Sequence, residues 1–177
     1  GYMLRNELKK YKRSENWNIK FVNTGLNTMT GGRIKKIEKY LKNDENFCLS
    51  YGDGLCNVNI DKLIKFHLKE KKIATLTAVK QQNRFGILSF KKNLVNVIKE
   101  KPIEYINGGF FVLSKKIFKF LKNDNSIFEK DCLPKLSKKN QLNAFKHNDF
   151  WACMDTLRDK KNLNIEWKKK NCKWKTW

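Results

Sequence analysis

Phe47-Cys48-Leu49-Ser50-Tyr51-Gly52-Asp53-Gly54 is the stretch whose reading decides the fold. A short apolar run bounded by a glycine turn reads as a buried β-strand. Asp53 follows it directly, between two glycines that permit close backbone approach. In open α/β sheets ligands bind beyond the carboxyl ends of strands. An acid at that point can hold a hard cation such as Mg²⁺, which prefers oxygen ligands and bridges phosphates. Gly-Asp-Gly is also an ordinary turn, and the tripeptide alone does not separate the two readings.

Working outward, helical and strand-like segments alternate. Apolar residues at Ile34, Ile37 and Leu41, with Tyr40, give helical spacing over 33–41. Ile60 to Glu70 predicts a helix with Leu63, Ile64 and His67 on one face. Ala74 to Val79 predicts the next strand. Strands are expected over 17–22, 84–90, 94–99 and 105–113, and short helices over 116–122 and 131–138. Pro134 suits the first turn of the second. Leu142 to Phe145 leads to Phe150-Trp151-Ala152-Cys153-Met154-Asp155, and Thr156 to Leu163 reads as a last helix. The polar segment 1–16 reads as a loop. Early alternation followed by adjacent strands predicts one α/β domain over 1–177 with a mixed sheet.

Composition narrows the classes. The chain has 177 residues, is 40% hydrophobic and 12% aromatic, and is long enough for a real core. It has no apolar run of the ~18 residues that span a membrane. The formal charge of +22 is the signature of a nucleic-acid binder. Against that reading, nearly all the positive charge is scattered Lys, with arginines only at 5, 13, 33, 84 and 158, and no nucleic-acid motif occurs. Dedicated phosphate reading favours clustered Arg. The charge reads instead as compositional drift that can still attract phosphorylated substrates. Five cysteines without a C-x-x-C pair fit neither a zinc site nor a disulfide framework, and imply reduced thiols in a cytoplasmic protein.

Three further clusters can carry chemistry. Asp155 is a second acid at the end of an apolar element; it can join Asp53 around a metal, or cap the following helix. Thr28-Met29-Thr30-Gly31-Gly32-Arg33 offers hydroxyls, a glycine pair and a guanidinium at a helix start, which is a possible anion site or a plain helix start with a solvated Arg. Glu100-Lys101-Pro102 lies between two strands and reads most simply as a surface turn.

Together and in order, these pieces resemble the bacterial glucose-1-phosphate cytidylyltransferases, within the sugar nucleotidyltransferases. The resemblance is carried by WNIKFVNTG at 17–25, MTGGRIKKIEKY at 29–40, YGDG at 51–54 and ATLTA at 74–78. It continues through RFG at 84–86, EKP at 100–102, INGGFFVL at 106–113, FW at 150–151, MDTLRDK at 154–160 and WKTW at 174–177. It implies a Rossmann-like three-layer α/β/α fold around a mixed sheet. It also implies synthesis of CDP-glucose and pyrophosphate from CTP and glucose 1-phosphate, with Mg²⁺ as cofactor.

By the same resemblance Asp53 and Asp155 are the Mg²⁺ ligands. Thr28, Arg33 and Gly52 contact the nucleotide. Gly86, Glu100, Lys101, Asn107 and Gly108 form the sugar-phosphate site, with Lys101 holding the attacking phosphate. A homo-oligomer is implied, with neither a nucleic-acid nor a membrane partner. Related thymidylyl- or uridylyltransferases are the alternative. The family's G-x-G-T-R-L loop and Pro-Lys-Pro segment do not occur in this sequence, and residue 1 is Gly. The expectation is therefore a chain lacking the family's N-terminal strands, with base selectivity and activity belonging to a longer parent.

Overall fold

The computed structural model describes residues 17–83, 85–169 and 172–176, together with Asn6 and Leu8. The other residues of 1–16, Arg84, Lys170, Asn171 and Trp177 lie outside the described residues, and with them most of the expected N-terminal loop. In chain order the elements are α1 (Thr30–Ile37), a 3-10 turn (Glu38–Tyr40), β1 (Asn46–Ser50), β2 (Gly54–Cys56) and α2 (Ile60–Glu70). Then come β3 (Ala74–Gln82), β4 (Ile87–Lys91), β5 (Leu94–Lys99), β6 (Ile103–Ser114) and a 3-10 segment (Lys115–Phe120). A π turn (Phe128–Cys132), α3 (Leu133–Lys138), β7 (Leu142–His147), β8 (Trp151–Cys153) and α4 (Leu157–Lys168) complete the order.

The main sheet has the order β1-β6-β3-β7. β1 and β3 flank β6 antiparallel, and β7 runs parallel to β3, so the sheet is mixed as expected. β3 is buried on both faces from Ala74 to Val79, apart from half-buried Leu76, and Thr75 and Thr77 are buried with the apolar residues. On one face Ala74, Phe111 and Leu113 pack with Ile34 of α1, Ile117, Phe118 and Leu121, and Phe128, Leu133 and Leu136. On the other face α2 covers the sheet, with Leu63 and His67 buried. His67 meets Thr75 there, and Phe66 meets Phe145 edge-on. Helices on both faces give three layers.

Local chemistry sets the helix ends. Asn59 caps α2 by accepting the Lys62 N–H at 2.8 Å. The helix stops at Lys71, which takes a left-handed φ of 53°. α4 begins with a full capping box: the Thr156 hydroxyl accepts the Asp159 N–H, and the Asp159 carboxylate accepts the Thr156 N–H. Thr156→Ala should therefore lower stability by about 1 kcal/mol, read as an earlier urea midpoint. An unchanged midpoint would show that the box contributes nothing.

Three local expectations change. Residues 17–22 form no strand; Trp17 is exposed and only Ile19, Phe21 and Val22 are half-buried. Partial alternation over so few residues does not fix a pairing partner. α1 begins at Thr30, so Gly31 and Gly32 lie inside its first turn rather than before it. Residues 115–120 are a 3-10 segment, and α4 runs beyond Leu163 to Lys168. β4 and β5 form a separate two-stranded ribbon, exposed at every position. All five cysteines are free. Among the described residues no helix is long and apolar enough to cross a membrane.

Candidate active site

The chain leaves β1 at Ser50, and the Tyr51 N–H donates to the Gly109 carbonyl at 2.9 Å. It turns through Gly52-Asp53 and continues as β2. β2 pairs antiparallel with β8, setting Gly54 opposite Cys153 and Cys56 opposite Trp151. The Met154 N–H extends this ladder to the Asp53 carbonyl at 2.9 Å. The register carries Asp155 to Asp53: one ligand atom from each of Asp53, Cys153 and Asp155 lies within 4.8 Å of the other two. The structure thus brings together the two acids that the sequence singled out. Because Thr156 caps α4, Asp155 is not the helix cap. Both carboxylates are exposed, and Cys153 is half-buried.

Cys153 was not foreseen. Its Sγ donates to Asp155 Oδ1 at 3.2 Å. Burial pushes the thiol up to about 11, helped by its hydrogen bond to Asp155 and the charges of Asp53 and Asp155. At neutral pH it is therefore a protonated donor that fixes one carboxylate oxygen. The available signal was its position two residues before Asp155, on the same side of an extended segment.

Asn107 and Gly108 of β6 form the neighbouring wall. Trp151 Nε1 donates to the Gly108 carbonyl at 2.8 Å. Asn107 Oδ1 accepts the Gly109 N–H at 3.0 Å, and its Nδ2 lies 3.5 Å from the Tyr51 hydroxyl. A Cβ on Gly108 would sit 2.8 Å from Val79 Cγ1, so the strand needs glycine there. The Tyr51 hydroxyl donates to Glu129, and Thr30 Oγ1 donates to the other Glu129 oxygen at 2.9 Å. Burial, with Glu129 second, pushes the Tyr51 hydroxyl well above its usual range. The start of α1 is thereby tied, through Glu129 and Tyr51, to the turn that carries Asp53. Nothing local in the sequence marks this link, since its members come from distant segments.

The remaining candidates fall into two other groups. Thr28 is buried, donates to the Thr24 carbonyl at 2.5 Å and meets Asp124 and Lys36. Arg33 donates to Thr24 Oγ1 at 2.6 Å and to the Leu26 carbonyl at 3.1 Å. Both brace the 24–28 loop. Gly86 lies against Glu100, where an added Cβ would come within 3.0 Å of Oε2. The Lys101 ammonium is 3.7 Å from Glu100 Oε1, both side chains exposed at the base of the β4–β5 ribbon. Gly52 stands free, with nothing within 4 Å of an added Cβ. No hydrogen bond or ion pair among the described residues joins the Thr28–Arg33 or Gly86–Lys101 groups to Asp53 or Asp155.

Two carboxylates converging beyond a strand end suit a divalent cation with a preference for oxygen donors. The thiol beside them is engaged with Asp155. A mixed sheet with helices on both faces and such a pair at one end defines an α/β domain suited to phosphate chemistry. Nucleotidyl transferase is the family whose pattern matches, over residues 2–165, and the chain belongs to that family.

Among its relatives, glucose-1-phosphate cytidylyltransferase of Salmonella typhimurium is 44% identical over 170 residues, 94% of this chain and 66% of its own length. The probable glucose-1-phosphate cytidylyltransferase of Bacillus subtilis is 37% identical over 174 residues, 97% of this chain and 68% of its own. The chain thus spans about two thirds of the length of these relatives. HddC from Yersinia pseudotuberculosis superposes with a TM-score of 0.68 at 25% identity, over 92% of this chain and 74% of that one. It has also been solved in complex with GMP-PN.

Proposed function

We propose that the protein is a glucose-1-phosphate cytidylyltransferase, forming CDP-glucose and pyrophosphate from CTP and glucose 1-phosphate. The observation that carries this reading is the convergence of Asp53 and Asp155 in a chain 44% identical to a cytidylyltransferase. A phosphate oxygen of glucose 1-phosphate attacks the α-phosphorus of CTP, forming the new P–O bond as the bond to pyrophosphate breaks. The nucleophile is already an anion, so no general base is needed, and catalysis is positioning plus charge neutralisation.

Asp53 and Asp155 would hold Mg²⁺, which when bound neutralises the triphosphate and orients its α-phosphate. Cys153 holds Asp155 in place for that role. Lys101 neutralises the attacking phosphate, while Glu100 accepts from sugar hydroxyls across the small Gly86. Asn107 and Gly108 line the sugar pocket, with Trp151 holding the Gly108 carbonyl. Gly52 allows close approach of the nucleotide. Thr28 and Arg33 act on the nucleotide side by bracing the 24–28 loop. The protein works in the cytoplasm as a homo-oligomer.

Pyrophosphate release by the full-length enzyme with glucose 1-phosphate and each nucleoside triphosphate tests the reading. CTP should be preferred over UTP and dTTP by at least about tenfold in kcat/KM. Equal turnover of UTP and CTP would sink the cytidine assignment and favour the thymidylyl or uridylyl alternative.

A further inference from the structure

β1 and β6 join two regions of opposite electrostatic character. At one end, beyond Ser50 and beside Gly108, lie the carboxylates of Asp53 and Asp155. At the other end, where Asn46 pairs with Ser114, a cavity of about 370 Å³ opens between the C-terminus of α2 and the start of the 3-10 segment. Lys71, Lys72 and Lys116 line it, together with Asn46, Ser114 and Gln141, and no carboxylate does.

Three features describe this cavity, and its concave shape separates it from the general scatter of lysines. First, no carboxylate pairs with any of its three ammonium groups among the described residues, a state they share with most lysines of this chain; Lys35, Lys36, Lys101 and Lys169 do meet an acid. The α2 C-terminus contributes only about half a negative charge, so most of the cavity's positive charge is uncompensated. Second, the charge is concentrated in a concave space of ligand size rather than spread on a convex face. Third, a polar chain runs from buried His67 to exposed Asn46 at the cavity wall. His67 is buried to 2% exposure, with Nδ1 2.9 Å from Thr75 Oγ1 and Nε2 3.1 Å from Asn46 Oδ1. Burial lowers the His67 pKa, so the ring is neutral. The Asn46 oxygen receives the Nε2 proton, and the Thr75 hydroxyl donates to Nδ1. The Asn46 amide nitrogen has no protein acceptor among the described residues and, on an exposed side chain, is open to solvent at the cavity wall.

We propose that this cavity binds a small phosphate-bearing anion the size of a diphosphate or a sugar phosphate. Lys71, Lys72 and Lys116 supply the charge, and Asn46 and Ser114 supply neutral hydrogen bonds. The site stands apart from the acidic pair and from the activity assigned to it. An anion approaching Asp53 and Asp155 meets like charge and needs a metal; the lysine cavity needs none. Metal dependence therefore separates the two sites.

Isothermal titration of the protein with inorganic pyrophosphate, in EDTA at physiological salt, is the test. The expected result is one saturable site with Kd below about 1 mM. Lys72→Gln with Lys116→Gln should weaken it at least about tenfold, and Lys116→Gln alone should weaken it about threefold. Lys160→Gln with Lys161→Gln on α4 removes the same charge elsewhere and should leave binding unchanged, as should Asp53→Asn. Absence of saturation, or equal weakening by the α4 pair, would overturn the proposal by showing only bulk attraction to a basic protein. Tighter binding in Asp53→Asn would overturn it by placing the anion at the acidic pair, where removing one like charge favours it.

Discussion

Asp53→Asn and Asp155→Asn should each lower turnover of the full-length enzyme by at least about a thousandfold at saturating substrate. Each substitution keeps the side chain's size and removes one charge from a pair whose oxygens lie within 4.8 Å. Both groups are exposed, so folding does not depend on either. Their effect on stability should even have the opposite sign. Two carboxylates with no cation between them repel, and removing one relieves that repulsion. The thermal midpoint without metal should therefore stay level or rise slightly while activity collapses. The double variant should be little worse than either single one, because the two acids act as a unit. Metal affinity gives a second readout: isothermal titration with Mg²⁺ should lose its saturable heat in both variants. Wild-type turnover in either variant at saturating Mg²⁺ would refute the assignment.

The two acids were legible because each sits in a locally marked place. Phe47 to Gly54 announces a strand and its turn. Met154-Asp155-Thr156 announces a boundary before a helix. What no local pattern shows is that they meet. The meeting depends on β2 and β8, three residues each, pairing across the chain; strands that short carry no readable period. The Tyr51–Glu129–Thr30 link was invisible for the same reason, since a hydrogen bond between distant segments leaves no spacing to read. Trp17 to Val22 shows the reverse case: a partial strand pattern that finds no ladder. Thr28 and Arg33 have the residue types of an anion site, yet their polar groups engage Thr24, Leu26 and Asp124. Residue type suggested that chemistry; which partners these side chains take is decided by packing of the 24–28 loop against residue 124.

The glycine pair at the start of α1 gives the second large effect. Gly32→Ala should destabilise the protein by about 2–3 kcal/mol, although Ala is the better helix former by about 1 kcal/mol. An added Cβ would lie 2.7 Å from both the Cα and the carbonyl oxygen of Asp124, and 2.8 Å from Thr28 Cγ2. Two of those atoms are backbone and cannot swing aside. They also belong to the contact that seats the helix: Met29 N–H donates to the Asp124 carbonyl at 2.8 Å, and Gly32 N–H to the Ser126 carbonyl at 3.2 Å. Glycine is needed here for close approach of two backbones, which is distinct from cradling a phosphate. Gly52→Ala is the matched contrast. Nothing lies within 4 Å of its added Cβ, so stability should change by less than about 0.5 kcal/mol, while kcat/KM for CTP falls as the nucleotide loses its close approach. Urea denaturation and steady-state kinetics on both variants separate the two roles. A Gly32→Ala protein as stable as the wild type would show that residues 124–126 yield freely. The damage should also reach the active site: loosening 124–126 frees the π turn that holds Glu129, and Glu129 is what holds Tyr51 beside Asp53.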